Sequence, residues 1–147
     1  MSIPTRPLVW TLTALEAAVA VSAVYGAVML VIDAWHLPVT DLSPLPLDSW
    51  VLPGVALLAT VALPMGLAAY GLGRRCSWAA PASIIAGTLL SGWVLVQVAV
   101  IGPQMFLQGV LFAVGLVVAV LGLMLDRTRT AGIPHLRRRS ATARYTS

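Results

Sequence analysis

Glu16 is the residue of this chain most able to do chemistry by its placing alone. It lies eight residues into an apolar run that opens near Leu8, roughly 12 Å deep at about 1.5 Å per residue. A charge at such a depth costs about 2.5 kcal/mol or more on insertion scales, so the residue suggests a proton or cation site. Ala20, Ala23 and Ala27 fall on the same helical face, leaving it small-sided enough to abut another helix or a wet cavity. The structural alternative is a neutral glutamic acid bonded to Ser83, Thr88 or a carbonyl, or a side chain reaching back to the nearer interface. Ion paths ordinarily show more than one intramembrane ionisable group. Glu16 is solitary, which favours the structural alternative.

A second polar group gathers around the connections. Asp33, His36, Asp41 and Asp48 follow the first apolar run, Trp93 and Gln97 lie late in the third, and Gln104 and Gln108 open the fourth. Together they could line a ligand pocket. A metal would draw on Asp33, His36 and a further acid, but one histidine with aspartates dispersed among Pro38, Pro44 and Pro46 has no recognised ligand spacing. The expectation is no metal and no cofactor. No serine or cysteine has a histidine and an orienting acid suggested nearby, so a hydrolytic constellation is not expected and the chain reads as non-enzymatic. With Cys76 as its single cysteine, one chain cannot build a disulfide or a two-thiol redox motif.

Four elements must position these residues. The 147 residues are 59% hydrophobic and 10% charged, with a mean hydropathy of +0.93, against roughly a quarter charged in soluble domains. Four apolar stretches, at about 8–32, 50–72, 78–100 and 105–125, each reach the roughly 20 residues needed to cross a bilayer as a helix. Without water the backbone must satisfy itself, and no alternating short strands suggest a barrel. The fold expected is an all-α four-transmembrane-helix bundle. The first run exceeds the apolar core of a secretory signal, typically 7 to 15 residues, and reads as a retained helix.

All nine basic residues are arginines. Arg6 precedes the first span, Arg74 and Arg75 join the second to the third, and the others, from Arg127 to Arg144, follow the fourth. The remaining two connections carry none, so the positive-inside rule predicts both termini in the cytoplasm; the membrane expected is the cytoplasmic (inner) one. Trp10 and Trp78 then fall at the inner interface, Trp35 and Trp50 at the outer one. Residues 126–147, with Arg137, Arg138 and Arg139, read as a basic cytoplasmic tail, disordered or lying on the membrane. These residues, with Arg74 and Arg75, suit anionic lipid headgroups. They lack the aromatic interleaving of a nucleic-acid surface, and no nucleic-acid partner is expected.

Helices in lipid associate through small residues that let backbones approach. Ala14, Ala18, Ser22 and Gly26 form such a stripe on the first span, and Ser83, Gly87 and Ser91 on the third. The fourth offers Gly109 with Ala113 and Gly115 with Ala119. One intramolecular bundle is the simplest use of them, with a membrane-protein partner or a homo-oligomer as the alternative. Pro64, inside the second span, should kink it.

The run Leu45-Pro46-Leu47-Asp48-Ser49-Trp50-Val51-Leu52-Pro53-Gly54, then Gly92-Trp93 with Gln97, Ile101-Gly102 and Leu107-Gln108, resembles a widespread group of small bacterial four-helix membrane proteins of uncharacterised function. The likeness spans roughly residues 12 to 125. It implies a first span ending at an aspartate turn, a second opening on Pro-Gly, and a third carrying a tryptophan and a glutamine one turn apart. The chain departs from that pattern after Asp33, with Ala34, Trp35 and His36, and at Gly109, often proline in the group. No activity comes with the resemblance. The function expected is that of a non-enzymatic accessory or interaction protein; the alternative is transport or lipid and ligand binding at Glu16 or at the Trp93, Gln97 and Gln108 group.

Overall fold

The computed structural model describes residues 5–34, 36, 48–103 and 106–131. Asp41, Trp35, Gln104 and the arginines from Arg137 onward lie outside the described residues. The apolar runs become α1 (Thr5–Val31), a second span in three pieces, α4 (Ala79–Ile101) and α5 (Phe106–Ala131). The three pieces are α2 (Val51–Leu57), a π-helical turn (Leu58–Ala62) and α3 (Leu63–Gly73). Each span is long and apolar enough to cross a membrane, and the shortest reaches about 33 Å at about 1.5 Å per residue. The chain is an all-α membrane protein built as a four-helix bundle.

The π turn is the form that the irregularity expected at Pro64 takes. Proline has no N–H to donate and its ring crowds the carbonyl one turn back, so a local widening of the helix before it relieves both. Leu63 N–H reaches the Leu58 carbonyl, five residues back. The Thr60 hydroxyl donates to the Ala56 carbonyl at 2.7 Å.

Two spans stop through the same device, and neither uses glycine for it. After α1, Asp33 adopts a left-handed φ of 52°. Its N–H donates to Leu30 O at 3.3 Å and that of Ala34 to Met29 O at 3.0 Å, the paired bonds of a Schellman cap. After α3, Arg75 (φ 56°) does likewise: its N–H donates to Leu72 O at 3.0 Å, and Cys76 N–H to Gly71 O at 2.8 Å. Aspartate tolerates this conformation through its short polar side chain; arginine has no such excuse. α4 ends at Gly102, whose φ of 86° and ψ of 173° lie in a region essentially reserved for glycine.

The chain zigzags, so α1 rests on the second span, the second span on α4, and α4 on α5; α1 and α5 meet over a shorter stretch. The core contains Leu12, Val19, Met65, Leu72, Leu90 and Val118. The α4–α5 seam is the tightest. A Cβ on Gly87 would stand 2.5 Å from the Gly115 carbonyl oxygen and 2.6 Å from the Ala119 nitrogen, and one on Gly122 would stand 3.0 Å from the Ile84 nitrogen. Ser83, Gly87 and Ser91 are all buried along it, as their spacing suggests, and Ser91 Oγ donates to the Phe112 carbonyl at 3.4 Å.

Gly115 and Ala119 join that seam as well, but the remaining small-residue stripes behave differently. On α1 the buried face is Leu12, Glu16, Val19, Ala23 and Ala27, while Ala14, Ala18 and Ser22 point outward and only Gly26 is half-buried. Gly109 and Ala113 are likewise exposed. Lipid is as apolar as the bundle interior, so small-residue spacing alone cannot tell the two faces apart. The last helix also outruns the expected end at Leu125, continuing to Ala131. Hydroxyls of Thr128 and Thr130 bond back to carbonyls of that turn, and Arg129 ties it to the α3–α4 connection.

Candidate functional site

Glu16 is fully buried, between Leu12 and Val19 on the core face of α1. Neither carboxyl oxygen has a hydrogen-bond partner. Ser83, also fully buried, is the polar side chain that acts on the carboxyl, close enough for electrostatic influence but outside hydrogen-bond geometry. Its hydroxyl proton goes to the Ala79 carbonyl at 3.1 Å, which leaves the oxygen with lone pairs turned to no donor. After a small shift a neutral glutamic acid could donate to that oxygen, or the hydroxyl could rotate away from Ala79 and donate to the carboxyl. Thr88, the other partner considered from sequence, is exposed and donates to Ile84 O at 2.8 Å. The side chain does not reach back to an interface.

At the aspartate end, Asp33 serves the Schellman cap and lies 3.5 Å through Oδ2 from His36 Nδ1, both side chains well exposed. Asp48 is exposed. Gln108 is half-buried and its Nε2 donates to the Gly102 carbonyl at 3.4 Å, across the α4–α5 turn. Trp93 packs against the core with its Nε1 buried and unpartnered, and Gln97 is half-buried one turn on. Among the described residues, no hydrogen bond or ion pair joins Asp33, Asp48, Trp93 and Gln97 to one another, and no three of the metal-ligating types assemble.

The opposite end is more constructed. Here α1 begins and the second and fourth spans finish, so arginines far apart in sequence converge. Arg129 Nη1 donates to the Cys76 carbonyl at 3.0 Å and the Ser77 carbonyl at 3.5 Å, clamping α5 onto the α3–α4 turn. Trp78 folds over Gly71, where a Cβ would stand 2.7 Å from its ring. Arg74 turns outward over the Tyr70 ring, 5.8 Å from its centre. Between α1, the end of α3 and α5 lies a cavity of about 410 Å³ whose lining includes Arg6, Arg75 and Arg129, with Trp10 and Thr13 on the α1 wall. Sequence reading placed Arg75 at the membrane surface, but gave Arg6 and Arg129 only to the count that sets orientation and Trp10 only to an interface.

No family model matches the chain, and no curated protein or solved structure matches it significantly.

Proposed function

We propose that this protein works by association within the bilayer, as a non-enzymatic accessory bundle that lends one face to a membrane-protein partner. The observation that carries the reading is the outward stripe Ala14, Ala18 and Ser22 on α1. These residues take no part in the bundle's own core, yet small side chains are what lets a second helix approach closely in lipid. Ser22 leaves no polar demand there, because its hydroxyl donates to the Ala18 carbonyl at 2.8 Å. The full burial of Glu16 in the bundle core supports a structural rather than a transporting role for that acid. Orientation with both termini in the cytoplasm, residence in a bacterial cytoplasmic membrane and kinship with the small four-helix proteins belong to the same proposal, supported by the arginine distribution and the motifs around Trp50 and Trp93.

The test is site-specific crosslinking in native membranes. A photoreactive residue at Ala18 should give one discrete adduct, and Ala14→Leu with Ser22→Leu should abolish it while the bundle stays folded. Equal, diffuse crosslinking from Ala18 and from Leu123, an exposed position on α5, would remove the proposal.

A further inference from the structure

The cavity at the arginine end has the composition of an amphiphile site. Arg6, Val9, Trp10 and Thr13 fall at i, i+3, i+4 and i+7 and so form one face of α1. Leu125, Thr128 and Arg129 form one face of α5, and Leu72, Gly73 and Arg75 close the third side. Three arginines thus line one space, and among the described residues no acidic residue lines it. Among the described residues no arginine pairs with a carboxylate. Like charges brought together without a counter-charge repel one another, so the arrangement is favourable when an anion sits among them.

The hydroxyls do not compete for that anion. Thr13 Oγ1 donates to Val9 O and Thr128 Oγ1 to Leu125 O, each at 2.8 Å. Arg129 uses only Nη1 on the turn carbonyls, and a guanidinium has five N–H donors. Arg75 lines the cavity from a left-handed conformation that an L-residue adopts only at a cost, at a turn position where glycine would be free of strain. Strain retained at one place is a reason to look for a role there. Below the guanidiniums the walls are Val9, Leu72 and Leu125, and Trp10 stands 73% exposed at the rim. A soluble anion would meet charge alone; a lipid would also cover the apolar walls and the indole.

We infer that the cavity between α1, α3 and α5 binds the phosphodiester headgroup of an anionic phospholipid, its acyl chains running down the outside of the bundle. The space suits a headgroup rather than a whole lipid, and it lies at the helix ends, where headgroups are. Binding here does not require the association proposed for the outward face of α1, to which Trp10, one turn before Ala14, is the nearest lining residue.

The purified full chain, delipidated in neutral detergent, is titrated with phosphatidylglycerol or phosphatidylcholine of identical acyl chains and the bound fraction read by native mass spectrometry. Phosphatidylglycerol should bind more tightly. Arg6→Gln and Arg75→Gly should each weaken it about fivefold and the pair about 25-fold, without changing phosphatidylcholine. Arg75→Gly supplies the residue the turn prefers, so a loss there is not a loss of fold. Arg127→Gln, which removes an arginine outside the cavity, should leave selectivity unchanged. An equal loss in Arg127→Gln would mean general surface charge and overturn the inference. Displacement of the lipid by low-millimolar inorganic phosphate would also overturn it, by assigning the site to a soluble anion.

Discussion

Replacing Glu16 by methionine should stabilise the protein. Both carboxyl oxygens are buried without a partner, and an unsatisfied buried polar group costs about 1–3 kcal/mol. If the group carried its charge the insertion cost would be about 2.5 kcal/mol or more. Methionine is unbranched, of comparable length, and fills irregular apolar space, and Leu12 and Val19, on the same buried face of α1, are apolar. A gain of about 1–3 kcal/mol is therefore expected for Glu16→Met, and a smaller one for Glu16→Gln, which removes the charge but leaves a buried amide. The assay is reversible unfolding in mixed micelles, followed by helical circular dichroism and by trapping of the opened state. A loss of 1 kcal/mol or more in Glu16→Met would refute the reasoning, since it would mean that the carboxyl makes a favourable contact there.

Two further outcomes follow from the packing. Gly87→Ala should destabilise by about 1–3 kcal/mol, because its Cβ would meet backbone atoms that cannot step aside; Gly109→Ala, facing open space, should be neutral or gain up to about 1 kcal/mol in helix propensity, both read in the same unfolding assay. Arg129→Ala should loosen the α3–α4 turn by about 1 kcal/mol through its bonds to Cys76 and Ser77, seen as faster amide exchange over residues 74–78 with the α1–α2 contact unaffected.

What the sequence discloses here depends on whether a signal is local. The spans are local, since long apolar runs between charge clusters leave few alternatives. Pro64 announces its own irregularity, although the π turn that absorbs it lies just upstream. Glu16 could be placed with Ala23 and Ala27 because helical periodicity alone puts them on one face. The buried seam at Ser83, Gly87 and Ser91 was legible as a stripe, but so was Ala14, Ala18 and Ser22, which turned outward. In a soluble helix polarity would separate the two; in a membrane helix both faces are apolar. The left-handed residues Asp33 and Arg75 carry no glycine to mark them. The arginine-end cavity was illegible for a different reason: Arg6, Arg75 and Arg129 come from three distant segments, and only the zigzag of the spans brings them together.

Accessibility of cysteines to a membrane-impermeant maleimide in intact cells tests the central claim, a four-span protein with its arginine end in the cytoplasm. Cys76 lies in the α3–α4 turn and is half-buried, so Gly73→Cys in a Cys76→Ser background serves as the exposed probe of that end. Ser49→Cys in the same background probes the other. The account predicts labelling of Ser49→Cys in intact cells and of Gly73→Cys only after permeabilisation. The reverse pattern, or both probes labelled from one side, would contradict it.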